Sequence, residues 1–112
     1  MEWAALYARQ RGYPYWKAFT TGKPPILGGI PHDTYGMTTR SVHQFVLGVL
    51  AQEGVEESEV RKLQIGGPDG DLGSNEILIS KDKTVGIVDG SGVIYDPEGL
   101  DRTEITRLAT SR

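Results

Sequence analysis

The first candidate for chemistry is a set of three regularly spaced glycines between a predicted strand and a predicted helix: Gly67, Gly70 and Gly73. Residues 62–65 have the character of a short strand, and residues 74–80 are in helical register. In such a turn the backbone can approach a phosphate without Cβ clashes, and the amides of the first helical turn can donate hydrogen bonds to it. The pattern predicts a pyrophosphate-binding turn.

An acidic residue follows at the end of the next predicted strand. Asp89 comes 22 residues after Gly67, which is close to the separation typical of dinucleotide-binding βαβ units. An acid there accepts hydrogen bonds from the adenine ribose, and no Arg or Lys follows it to neutralise a 2′-phosphate. The sequence therefore predicts NAD rather than NADP. The predicted cofactor-binding residues are Gly67, Asp69, Gly70, Leu72, Gly73, Asp89, Gly90 and Ser91.

Two features of the glycine turn favour a different interpretation. Its spacing, G-x-x-G-x-x-G, is one residue longer than the usual fingerprint. Asp69 and Asp71 also place two carboxylates where a pyrophosphate would lie, although Asp71 could instead cap the helix. The alternative hypothesis is a non-catalytic α/β module whose glycine-rich turn is structural.

Other catalytic and metal chemistry has little support. The Asp69 segment begins like a calcium loop, but its sixth position is Ser74 and its twelfth is Ser80. With no cysteine, thiolate sites are excluded, and with only two histidines a histidine-rich metal site is nearly excluded. His32 and Asp33 suggest acid–base work, but most such residues are hydrogen-bonded loop groups. No metal site is predicted.

The composition, 112 residues with a net charge of −3, is that of one small domain or part of one. Residues 1–40 carry a balance of +3 and the remainder a balance of −6, which argues against a nucleic-acid partner. No apolar run is long enough for a membrane span, and the first residues lack a signal-peptide pattern. We expect no membrane association and a cytoplasmic or mitochondrial matrix location.

Three segments are expected before the glycine turn. Residues 1–19 form a helical lead-in, with a helix over 2–10. Residues 20–39 are predicted to be a long functional loop in which Lys23 is solvated. The next segment is an amphipathic helix, with Thr38 or Thr39 as N-cap, Gly54 after its end, and His43 at the edge of an apolar stripe. The stripe consists of Val42, Phe45, Val46, Val49 and Leu50.

The remaining chain, within the predicted core 40–112, reads as a βαβ unit. Strands over 62–65 and 84–88, joined by the helix over 74–80, should be parallel. An extended piece over 93–95 and a last helix follow, with Asp101 and Glu104 as a capping box. The fold class is α/β, a Rossmann-like βαβ excerpt with parallel strands and flanking helices. We predict a single, incomplete NAD-binding domain over 1–112.

Several stretches carry a family resemblance. Residues 20–24, 28–38, 66–76 and 89–100 resemble NAD-specific glutamate dehydrogenases, most closely the large fungal and protist type. Gly-Gly-Ile-Pro-His-Asp-Thr-Tyr-Gly-Met-Thr together with Gly-Gly-Pro-Asp-Gly-Asp-Leu-Gly-Ser-Asn-Glu is highly specific, and the likeness covers nearly the whole chain. It implies NAD, L-glutamate and 2-oxoglutarate as partners, and a homo-oligomeric parent enzyme.

The resemblance also implies roles for particular residues. The Thr34 to Thr39 loop would lie toward the nicotinamide, with Thr34, Tyr35 and Thr38 as the candidate contacts. Smaller members have an Arg and a Thr in this loop, and the corresponding places here look like Pro31 and either Thr34 or Tyr35. The nicotinamide contacts are therefore not carried over.

By the same resemblance, the chain is an excerpt that contains about the first half of an NAD domain. The catalytic lysine and aspartate of the family would lie upstream of Met1, and the later strands would follow Arg112. We expect no catalytic residue within these 112 residues, and no dehydrogenase activity from the isolated chain.

Overall fold

The computed structural model describes residues 1–112, which form two compact units, Met1–Tyr35 and Gly36–Arg112. The first unit contains α1 (Glu2–Gln10), a 3-10 turn (Pro25–Leu27) and α2 (His32–Tyr35). The second contains α3 (Met37–Glu53), a 3-10 turn (Glu57–Glu59), β1 (Arg61–Ile65), α4 (Asp71–Ile79), β2 (Lys83–Asp89), β3 (Gly92–Tyr95) and α5 (Arg102–Thr110). None of these helices is long and apolar enough to cross a membrane.

In the first unit the predicted helix is confirmed, but the predicted solvent exposure of one lysine is wrong. Helix α1 covers the predicted span 2–10, and Trp3 stacks on Tyr7 with ring centroids 5.6 Å apart. Lys23 was expected in solvent but is 8% exposed, and its ammonium donates to the carbonyl oxygen of Thr20. The cause is local folding of the proline-rich segment, whose 3-10 turn the sequence pattern did not predict.

Helix α3 begins earlier than predicted. Its first residue is Met37, after Gly36 in the left-handed conformation at φ 59°, so neither Thr38 nor Thr39 is the N-cap. The predicted loop 20–39 therefore has helical residues at its end, and α2 lies within it. The predicted end is confirmed, since Gly54 closes the helix at φ 68°. The functional role of the loop stays a prediction.

The apolar stripe of α3 faces outward. Phe45 is 77% exposed, and Val42 and Val49 are each 58% exposed, whereas the buried residues of this helix are Thr39 and His43. Periodicity identified the helix correctly, but its two fully buried residues are polar, and Leu50 of the stripe is half-buried. We call the outward apolar residues Val42, Phe45, Val46 and Val49 the α3 face.

The sheet has the strand order β1-β2-β3. Strands β1 and β2 are parallel, with Arg61 opposite Lys83 and Ile65 opposite Val88, which confirms the predicted βαβ arrangement. Strand β3 returns antiparallel to β2 through a tight turn, with Asp89 opposite Gly92. The carboxyl ends of β1 and β2 therefore lie side by side at one edge of the sheet.

Two helices form the core with the sheet. Ile77 of α4, Ile87 of β2, and Ile105 and Ala109 of α5 form one buried cluster, against which Leu100 packs. The carboxylate of Asp101 accepts hydrogen bonds from the amides of Thr103 (2.9 Å) and Glu104 (3.2 Å), which confirms the predicted N-cap. The reciprocal half of the capping box is wrong, because the Glu104 carboxylate is bonded to Arg107.

Candidate functional site

The end of β2 meets the glycine turn directly. A Cβ built on Gly67 would lie 2.4 Å from the Cβ of Asp89 and 2.6 Å from its Oδ2. No side chain larger than glycine fits there without displacing the acid. Two residues that are 22 positions apart in sequence are therefore in contact, at the place where two parallel strands end. This is the location at which open α/β sheets bind ligands.

The carboxylate of Asp89 is held by the turn that follows it. Its Oδ1 accepts hydrogen bonds from the Ser91 hydroxyl (2.6 Å), the Ser91 amide (2.8 Å) and the Gly92 amide (3.2 Å). These donors, the Ser91 hydroxyl above all, hold the pKa of Asp89 below its ordinary range, because each stabilises the ionised form. Asp89 is therefore an anion at neutral pH, and its Oδ2 has none of these donors.

The steric environment differs from one glycine of the turn to the next. Gly66 has φ 114°, a conformation that residues with a Cβ rarely adopt. A Cβ on Gly73 would lie 2.2 Å from the carbonyl oxygen of Gly67, so the first turn of α4 can approach the end of β1 only without a side chain there. Gly70 has open space around its Cβ position. An external group can reach the backbone at Gly70.

The beginning of α4 differs from the prediction in two respects, the first being that the helix starts at Asp71 instead of residue 74. The N-cap is Gly70, and no side chain caps the helix, so Asp71 is the first helical residue rather than the cap. The amides of the first turn have no intrahelical acceptors, and they carry the positive end of the helix dipole. This donor set fits a pyrophosphate. Asp69 and Asp71 are both exposed at the same turn, so solvent screens their repulsion.

Sequence reasoning missed Gln64, the residue that ties the turn to the helix. Its side-chain amide donates to the carbonyl oxygens of Gly66 (2.7 Å) and Gly73 (3.1 Å), and the residue is 7% exposed. The only signal in the sequence is a glutamine between the two apolar residues of a short strand.

Two residues of α3, one of them His43, bond to α4. The hydroxyl of Thr39 donates to the carbonyl oxygen of Leu72 (3.1 Å), so α3 contacts the first turn of α4. His43 is buried, with Nε2 3.0 Å from Glu57 and Nδ1 3.2 Å from Glu76. Glu76 is also paired with Lys62 at 2.9 Å. His43 was predicted to be a structural residue, and the structure shows that its polar partners are Glu57 and Glu76.

A cleft of about 340 Å³ lies beside Asp89. Its walls combine apolar side chains with the polar end of β2, an arrangement that suits a flat ring attached to a sugar. The lining residues include Pro68, Ile87, Asp89, Ser91, Val93 and Leu108. Leu72 and Gly90, also predicted as cofactor-binding residues, are exposed near the same turns.

The predicted nicotinamide-side residues belong to two different compact units. Thr34 and Tyr35 belong to α2 in the first compact unit, and Thr38 belongs to α3 in the second. All three are exposed. Their role stays a prediction. No group of three His, Cys, Asp or Glu side chains is arranged to hold a metal ion.

Comparison with known proteins gives one consistent result. A family model described as Glutamate/Leucine/Phenylalanine/Valine dehydrogenase matches residues 28–112. Glutamate dehydrogenase 2 of Dictyostelium discoideum is 67% identical over 112 residues, which are 100% of this chain and 11% of that protein. NAD-specific glutamate dehydrogenase of Neurospora crassa is 57% identical over 112 residues, again 100% of this chain and 11% of the relative.

A bacterial relative matches a shorter region. The cryptic catabolic NAD-specific glutamate dehydrogenase GudB of Bacillus subtilis is 36% identical over 86 residues, 74% of this chain and 19% of that protein. The chain thus spans about a tenth of the length of the Dictyostelium and Neurospora relatives. The family match covers the glycine turn, Asp89 and every strand of the sheet. The chain belongs to the Glutamate/Leucine/Phenylalanine/Valine dehydrogenase family.

Proposed function

We propose that the chain is the NAD-binding portion of a glutamate dehydrogenase. The parent enzyme would convert L-glutamate, NAD and water into 2-oxoglutarate, ammonium, NADH and a proton, with the hydride passing from the α-carbon to the nicotinamide. The contact between Gly67 and Asp89 at the ends of two parallel strands carries this proposal. The names of the relatives, NAD-specific glutamate dehydrogenases, support the choice of cofactor and substrate.

The pyrophosphate and the adenosine half of the dinucleotide each have a candidate position. The pyrophosphate would lie over Gly70 against the first-turn amides of α4, where the backbone is open. The adenine ribose would donate hydrogen bonds to Oδ2 of Asp89, and the adenine ring would occupy the adjacent cleft. Once bound, NAD supplies the hydride acceptor. The residues of this chain bind and orient it.

The rest of the parent chain is the second proposed partner. The α3 face and one face of β1 expose apolar side chains, with Leu63 59% and Ile65 82% exposed. Such a surface is typical of a buried interface. Other parts of the enzyme would cover it and would supply the catalytic lysine and aspartate. We propose a homo-oligomeric parent enzyme in the cytoplasm or the mitochondrial matrix.

Amide NMR titration of the purified chain with NAD tests the proposal, with NADP as the control ligand. We expect shifts at residues 66–75 and 89–92 with NAD and much weaker ones with NADP. Asp89→Ala should abolish the NAD shifts. Asp96→Ala is the matched control, because Asp96 also accepts a turn amide, that of Glu98 at 2.9 Å, outside the candidate site.

A well-dispersed spectrum that NAD leaves unchanged would contradict this function for the chain. It would favour the alternative, an α/β module whose glycine turn is structural. Formation of 2-oxoglutarate by the isolated chain would contradict the expectation that its catalytic groups lie elsewhere in the parent.

A further inference from the structure

Two Asp-Gly sequences lie at the carboxyl end of the parallel strands, and their surroundings differ. Asp69-Gly70 belongs to the turn between β1 and α4, and Asp89-Gly90 begins the turn after β2. In an Asp-Gly sequence the glycine nitrogen can attack the carboxyl carbon of the aspartate side chain, because glycine has no Cβ to obstruct the approach. Both sequences therefore have the same intrinsic chemistry, and the folded structure decides which of them can react.

The Asp69 carboxylate has no partner in the structure. Asp69 and Gly70 are both exposed, and no hydrogen bond or ion pair involves the Asp69 side chain. The Gly70 amide donates to the carbonyl oxygen of Gly67 over a long distance of 3.3 Å. A Cβ built on Gly70 would meet nothing within 4 Å, so the backbone has space to rearrange there. Little has to be broken before the nitrogen and the carboxyl carbon can meet.

The Asp89 carboxylate, by contrast, is held on both sides. Its Oδ1 accepts three hydrogen bonds from Ser91 and Gly92, and its Oδ2 lies against Gly67. Attack on this carboxyl group requires those bonds to break, and it requires a proton on the carboxyl group so that a hydroxyl can leave. The same donors lower the pKa of Asp89, so its protonated form is rarer than that of an unbonded aspartate. The fold therefore protects this second sequence.

We propose that Asp69 is a site of spontaneous isomerisation to isoaspartate. The Gly70 nitrogen forms a bond to the side-chain carboxyl carbon of Asp69, and the carboxyl hydroxyl leaves with the amide proton as water, which gives a succinimide ring. Water then adds to the ring. Cleavage of the bond between the nitrogen and the main-chain carbonyl carbon gives isoaspartate with a free α-carboxylate, whereas cleavage at the side-chain carbonyl carbon restores aspartate.

Isomerisation would change the backbone between β1 and α4. The isoaspartyl linkage places the Cβ of residue 69 in the main chain, which becomes longer by one carbon immediately before the N-cap Gly70. The first-turn amides of α4 would then be displaced from the end of β1. We expect the modified chain to bind NAD more weakly, and this consequence rests on the proposed function. The isomerisation itself does not.

The experiment incubates the folded chain at neutral pH in oxygen-18 water, because each ring opening adds one heavy oxygen to the aspartate. Trypsin digestion in ordinary water then separates the two sites into peptides 63–81 and 84–102, and fragment masses locate the label. We expect Asp69 to be labelled about tenfold faster than Asp89 or more, since one hydrogen bond to a charged group has this value. In urea, where neither carboxylate is held, the two rates should be similar. Equal rates in the folded chain, or labelling of Asp69 in urea alone, would overturn the proposal.

Gly70→Ala is the matched variant. Its Cβ obstructs the attacking nitrogen, yet the fold has space for it, so labelling should fall at Asp69 and stay unchanged at Asp89. Labelling at Asp69 that this variant leaves unchanged would also overturn the proposal. A chain that is labelled selectively at Asp69 but binds no NAD would count against the proposed function alone, because the labelling needs no cofactor.

Discussion

Gly73 of α4 lies against the carbonyl oxygen of Gly67, at a distance that leaves only 2.2 Å for any Cβ at position 73. This contact sets the approach of the helix to the end of β1. Since the obstructing atoms at Gly66 and Gly67 belong to the backbone, a rotamer change cannot relieve the clash.

Gly73→Ala should therefore destabilise the fold, although alanine is the better helix former. We expect a loss of about 2 kcal/mol in the free energy of unfolding, measured with denaturant, from overpacking at this contact. Gly70→Ala is the matched control, because nothing lies within 4 Å of a Cβ there and its φ is −107°. A Gly73→Ala protein as stable as the Gly70→Ala protein would show that the close approach is not required.

His43 should matter more for stability than its neighbours on α3. Its two ring nitrogens face Glu57 and Glu76, so His43→Ala leaves both carboxylates without this partner at a mostly buried position. We expect a loss of about 1–3 kcal/mol in unfolding free energy. Gln44→Ala, at the adjacent exposed position, should change it by less than about 0.5 kcal/mol. Similar values for the two variants would contradict the role given to His43.

Asp101→Ala should destabilise α5 through the loss of its N-cap. The carboxylate of Asp101 satisfies the amides of Thr103 and Glu104, and an N-cap of this kind contributes about 1 kcal/mol. Glu104→Gln should cost less, because its partner Arg107 is an exposed residue in the same helix. Thermal unfolding followed by circular dichroism compares them. A larger effect from Glu104→Gln than from Asp101→Ala would contradict the role given to Asp101.

The acid titration of Asp89 should depend on Ser91. Ser91→Ala removes the strongest of the groups that lower the Asp89 pKa, so the pKa should rise, whereas Ser91→Thr should preserve it. Carbon-13 NMR of the carboxyl group measures this. Because the pKa is lower in the folded chain than in the unfolded chain, the resulting stabilisation is complete above the unfolded pKa and is lost as pH falls through the folded pKa. An unchanged titration in Ser91→Ala would contradict the hydrogen bonding described.

The α3 face should control self-association of the isolated chain. Phe45→Glu replaces a side chain that is 77% exposed, so the unfolding free energy should change by less than about 0.5 kcal/mol. Sedimentation velocity should show less association than in wild type, because the apolar patch is interrupted. Gln44→Glu adds the same charge one residue away as the control. Equal association of the two variants would exclude the α3 face as the contact surface.

Local patterns in the sequence were sufficient to predict most of the helices and strands. The positions of glycine and proline predicted α1 and the end of α3, and Asp101 predicted the start of α5. The start of α3 was misplaced because Gly36 in a left-handed conformation begins the helix without a capping side chain. The reciprocal capping box failed because Arg107 bonds the Glu104 carboxylate that the box requires.

The sequence by itself determined the position of α1, the order of the helices and strands from α3 onward, the parallel pairing of β1 with β2, and the separation of Gly67 from Asp89, because these follow from turn chemistry and periodicity along the chain. Only the tertiary structure decided which residues meet. It placed Gln64 under the glycine turn and His43 between two glutamates. It also turned the apolar stripe of α3 outward. The physical reason is that burial depends on contacts between distant segments, and periodicity defines a face of a helix without specifying what covers it.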